Sequence, residues 1–137
     1  MGRVLSIDYG EKRMGIAISD PNKIIAQNFK TLKYKNLEKI VEEISDIIER
    51  FEVERVVVGN PIGLSGAPTQ ESKRVEEFIR FLKKRVKVEI ELFDERFSTK
   101  LAERILRISK ERSSRKKGLK DRIAASIILQ DYLDSKR

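Results

Sequence analysis

Two short apolar runs open the chain. Residues 4–7 lead into Asp8-Tyr9-Gly10, and residues 14–18 lead into Ser19-Asp20-Pro21. Brief apolar stretches on either side of a polar, glycine-containing turn predict a β-hairpin. A third strand is expected over residues 26–32. It precedes a helix opening near Asn36, whose side chain suits an N-cap. Leu37, Ile40, Val41, Ile44, Ile47, Ile48 and Phe51 then recur at three- and four-residue intervals, the stripe of an amphipathic helix. Residues 55–59 follow. Their three consecutive valines suit a strand buried on both faces, and Asn60-Pro61 stops it, because proline cannot extend a ladder. Beyond a loop with Gly63, Gly66 and Pro68, a second helix sets Val75, Phe78, Ile79 and Leu82 on one side. Val86, Val88, Ile90 and Leu92 alternate with Lys87, Glu89 and Glu91, the period of a strand with one wet face. Ser98 or Thr99 caps a third expected helix bearing Leu101, Ile105, Leu106 and Ile108. A last helix is expected from near Asp121 to Asp134.

The order β-β-β-α-β-α-β-α-α belongs to the α/β class. A three-strand meander is followed by two strand–helix–strand units, whose strands should run parallel through right-handed crossovers. The expected product is a mixed five-stranded sheet with helices on both faces. The 137 residues make one domain's length, so residues 1–137 are read as a single domain.

Composition narrows the chemistry. Cys is absent, which excludes disulfides, thiol nucleophiles and Cys-based metal sites. His is absent as well, which removes the commonest general base. A metal in this chain would be a hard cation held by oxygen. No apolar run approaches the roughly 18 residues of a membrane span, and the N-terminus lacks a signal-peptide layout. A cytoplasmic protein that avoids membranes is the expectation. The net charge is +8, of which residues 101–137 supply +6 from eleven basic and five acidic groups. A basic C-terminal third points to a polyanion, nucleic acid first. The 38% charged content also resembles heat-adapted proteins.

Most of the 22 acidic residues must be surface charge. Three places differ. Asp8 ends an apolar strand, Asp94 and Glu95 end the alternating one, and Asp121 opens the last helix ahead of Ala124 and Ala125. The two alanines let that helix lie close to the sheet, carrying Asp121 towards the strand ends. Asp8 and the 94–95 pair share that edge if their strands are parallel neighbours, and ligands gather at the carboxyl ends of parallel strands. Carboxylates brought together repel, and a divalent cation removes that cost. Mg²⁺ needs neither His nor Cys, and paired ions about 4 Å apart cleave phosphodiesters. Singly, each acid is more simply a turn former, a cap or an exposed strand end.

Asp8-x-Gly10-x-x-x-x-Gly15 either shapes a turn that exposes Asp8 or cradles a phosphate. It is similar to the first phosphate loop of actin-type and sugar-kinase ATPases, which need two such domains. Lys12 and Arg13 lie beside the first turn, Arg96 follows Glu95, and Arg115, Lys116 and Lys117 precede Asp121. Such groups contact phosphates and position a backbone without reading bases. Tyr9 and Phe97 are aromatics near the same places, suited to core packing or to stacking on a base.

GRVLSIDYGEKRMGIAISD, VVVGNP, FDERFST and KDRIAASIILQDYL occur in that order. They resemble the YqgF family, also called RuvX, the Holliday-junction-resolvase-like nucleases of bacteria, over nearly the whole chain. The resemblance implies a ribonuclease H-like fold and metal-dependent phosphodiester cleavage, with Mg²⁺ or Mn²⁺. It implies a role in maturing the 5′ end of pre-16S ribosomal RNA, junction resolution being the older proposal. Carried over by residue, Asp8 is the first-strand acid, Glu95 or Asp94 the second, and Asp121 the last-helix acid. Lys12, Arg13 and Arg96 take the family's basic positions. Two places depart from the pattern: Ser6 stands where an apolar residue is usual, and IGLSGAPTQES follows VVVGNP. The expected partner is structured RNA or branched DNA, met as a monomer or a weak homodimer. A non-catalytic nucleic-acid-binding module and an actin-type phosphotransferase are the competing readings.

Overall fold

A computed structural model describes residues 2–10, 12–60, 70–94 and 119–136. The opening hairpin forms as the pattern requires. β1 (Arg3–Asp8) and β2 (Arg13–Ser19) pair antiparallel, and β2 pairs antiparallel with β3 (Ala26–Lys33). Helix α1 (Leu37–Arg50) starts at Asn36, whose side-chain oxygen accepts from the Lys39 N–H at 2.8 Å. β4 (Val53–Asn60) runs parallel to β1, and β5 (Glu89–Asp94) runs parallel to β4. Helix α2 (Gln70–Arg85) joins them, and α3 (Leu119–Ser135) is the last helix. The sheet order is β3-β2-β1-β4-β5.

β5 begins three residues later than the alternating pattern. α2 runs on through Arg85, and the Val86 N–H still donates to the Leu82 carbonyl at 3.0 Å. Val86 and Val88 pack against the core while the chain leaves the helix, so burial rather than a ladder explains their apolar period. The expected helix around residues 99–108 lies outside the described residues.

Strand alternation divides the core between two faces. Leu5, Ile7, Met14 and Ile16 point to one side, where α1 supplies Ile40 and Ile44 and α2 supplies Val75, Phe78 and Leu82. Val4, Ala17 and Val57 point to the other, beneath Ala125, Ile128, Leu129, Tyr132 and Leu133 of α3. Helices therefore cover both faces. The α3 residues in contact recur at three- and four-residue spacing, the row that a helix presents to a flat partner.

Candidate active site at the carboxyl edge of the sheet

Ser6 sets the position of α3. Its side chain is fully buried, and its hydroxyl donates to the Ala125 carbonyl at 2.6 Å. This accounts for a polar residue in an otherwise apolar strand. Farther down β1, Val4 packs with Leu133, so α3 runs opposite to β1. Its N-terminus therefore reaches the carboxyl end of β1. Asp121 is one helical turn before Ala125, about 6 Å along the axis. Asp8 is two strand residues beyond Ser6, about 7 Å. The two backbones stand level at one edge.

Asp8 is half-buried and follows Val4 and Ser6 on the face towards α3. Its ladder partner on β2 is Gly15. On β4, Ile7 pairs with Val58, so Gly59 runs alongside Asp8. Asp8 thus stands between two residues that have no side chain. Gly10 has a separate reason to be glycine. A Cβ there would lie 2.3 Å from the Arg13 carbonyl oxygen, too close for any other residue to keep this turn.

β1 and β5 share direction but are not neighbours, because β4 lies between them. Asp94 pairs with Asn60 at the end of β4. It is therefore two strand spacings from β1, about 10 Å. Glu91 and Phe93 of β5 contact Tyr132 on the α3 side. Glu95, Arg96, Phe97, Arg115, Lys116 and Lys117 lie outside the described residues. Among the described residues no three acidic side chains gather as a metal site.

The basic side of this edge is larger than the sequence reading made it. Arg13 and Lys33 are register partners on β2 and β3, both exposed. They belong to the face of Gly15 and Thr31, since Met14 and Leu32 between them enter the opposite core. The pair sets two positive charges side by side on that face. Lys12 and Lys35 are exposed beside them. Lys33 and Lys35 were missed because nothing in sequence connects them to residues 12–13; the antiparallel register does. Among the described residues, no helix is long and apolar enough to cross a membrane.

A family model described as "RuvX: Holliday junction resolvase" matches residues 2–135. The chain belongs to the RuvX family. A relative from Dictyoglomus turgidum is 42% identical over 133 residues, covering 97% of this chain and 94% of its own. One from Syntrophomonas wolfei is 39% identical over 132 residues, covering 96% and 94%. Both carry the name "Putative pre-16S rRNA nuclease". Among solved structures, Thermus thermophilus RuvC in complex with a Holliday junction substrate superposes with a TM-score of 0.62 at 14% identity, covering 99% of this chain and 96% of RuvC. The fowlpox virus Holliday junction resolvase gives 0.57 at 20% identity, covering 97% and 99%. The RuvX chain has the ribonuclease H-like fold of these resolvases.

Proposed function

We propose that this RuvX chain is a nuclease that hydrolyses phosphodiester bonds in structured RNA during 5′-end maturation of pre-16S rRNA. The observation that carries the reading is the edge at which Asp8 and the first turn of α3 stand level, flanked by Arg13 and Lys33. The relatives' names supply the substrate.

The donor set at this edge is oxygen alone, in a chain with neither His nor Cys. Asp8 stands between two glycines. That chemistry fits a hard divalent cation, Mg²⁺ or Mn²⁺, and no softer metal. Asp8, Glu95 and Asp121 are the residues that would hold it. Asp94 is the alternative to Glu95 as the second acid. A bound divalent ion would activate water and stabilise the leaving oxygen. The chain's own contribution is positioning. The Ser6 hydroxyl fixes α3 against β1, Gly10 shapes the turn that presents Asp8, and Arg13, Lys33 and Lys12 hold the phosphate backbone without reading sequence. Arg96, Arg115, Lys116 and Lys117 extend that basic surface in this reading.

Asp8→Asn tests it. Cleavage of a 5′-extended 16S precursor should fall at least about a hundredfold, while RNA binding and the thermal midpoint stay near wild type. Retained cleavage in that variant discards the nuclease assignment to this edge. Binding without cleavage in the wild type, with or without Mg²⁺, leaves a non-catalytic binding module.

Junction resolution is the second reading, favoured by the fold shared with two junction resolvases. It requires a two-fold dimer, because a junction has paired strands to cut. Paired, symmetric nicking of a four-way junction by a dimer would establish it.

A further inference from the structure

A cavity of about 400 Å³ opens at the same sheet edge, on the α1–α2 side. That volume lies in the range of ligand-binding pockets. Leu37 and buried Phe78 give it an apolar wall, half-buried Tyr9 and Tyr34 an aromatic one, and exposed Arg74 and Glu77 a charged rim. Tyr9 directly follows Asp8, so cavity and candidate active site lie back to back across one backbone. The Tyr9 ring meets the Phe78 ring at 5.6 Å, which anchors it. The Tyr34 N–H donates to the Lys12 carbonyl at 2.8 Å, which ties the cavity to the basic loop.

We propose that this cavity takes one unpaired nucleobase of the RNA, stacked on Tyr34 and Tyr9. The proposal deepens the nuclease reading and rests on it for the identity of the polymer. Flat aromatic side chains suit a base, and proteins that read RNA take up unpaired bases in this way. Arg74 and Glu77 add a donor and an acceptor at the rim. A nucleobase presents both acceptors and donors to them. A carboxylate only accepts hydrogen bonds, so Glu77 can take a base N–H, from an exocyclic amino group or from a ring N–H such as N3–H of uracil. The site would thereby recognise a junction of paired and unpaired RNA, the phosphates on Lys12, Arg13 and Lys33 and the first free base in the cavity.

The test uses the full chain carrying Asp8→Asn, in chelator, so that binding is read without cleavage. Duplex RNAs with a 5′ or 3′ single-stranded tail carry 2-aminopurine at successive tail positions. Fluorescence quenching is expected at one position. Tyr34→Ala should remove that quenching and weaken tailed RNA about tenfold, one base's stacking, with blunt duplex affinity unchanged. Tyr34→Phe should retain both. Absence of quenching at every position, or equal loss of blunt and tailed binding in Tyr34→Ala, overturns the proposal. Loss in Tyr34→Phe as large as in Tyr34→Ala overturns stacking. The nuclease reading fails by a different measurement, retained cleavage in the Asp8→Asn single variant.

Discussion

Ser6 shows how one polar atom can position a site. Its hydroxyl is buried and reaches across the sheet to a helix 119 residues later in the chain. Removing it leaves the apolar contacts of α3 in place but frees the helix to slide. Ser6→Ala should cost about 1 kcal/mol, the net worth of a buried hydrogen bond, read as a fall of a few degrees in thermal midpoint. If α3 carries a catalytic acid, the loss of cleavage should exceed that stability loss suggests. Cleavage unchanged at a temperature well below the midpoint would show that the register of α3 is irrelevant to catalysis. Gly10 and Gly15 mark the limits of reading residues alone. The spacing of the glycines was visible, but their separate reasons were not: one avoids a carbonyl and the other lies beside Asp8. Those reasons depend on pairing across a turn.

At the scale of elements, α3 is latched at its far end as well. Glu91 of β5 accepts from the Tyr132 hydroxyl at 2.9 Å and from Arg55 at 3.0 Å. Burial alone would raise the Glu91 carboxyl, but the Tyr132 hydroxyl and Arg55 outweigh it and hold the group below its ordinary value. A carboxylate depressed in the fold stabilises above its unfolded value and loses that contribution as pH falls through the folded one. The latch should therefore weaken below about pH 4.5, the ordinary value for Glu. Glu91→Gln should cost about 1 kcal/mol or less at neutral pH, because the group is partly solvated, and should flatten the acid side of a stability–pH curve. An acid limb identical to wild type would remove Glu91 from the latch. Among the described residues, element identities were legible in sequence because the apolar periods matched the faces that the elements bury. The start of β5 was not, since Val86 and Val88 are apolar for packing at the end of a helix.

At the scale of the molecule, four basic residues in and beside two strands make one patch. Arg13, Lys33, Lys12 and Lys35 gather where β2 begins and β3 ends, at the edge that holds Asp8. Binding to structured RNA should weaken steeply with salt, as counterion release requires. Lys33→Ala should weaken all RNA sequences alike and lower the slope of log affinity against log salt by about one. An unchanged slope would place the phosphates elsewhere.

The sequence by itself determined the α/β class, the order of the described strands and helices, the lack of His and Cys donors and the family, because each is written in local periodicity, composition or contiguous motif. Tertiary structure decided which residues are neighbours. It put β4 between the strands of Asp8 and Asp94, brought Lys33 opposite Arg13, formed the open cavity behind Asp8, and set the start of α3 level with it through one hydroxyl. Those relations follow from sheet order and helix docking, which join residues too far apart in the chain for any local pattern to connect.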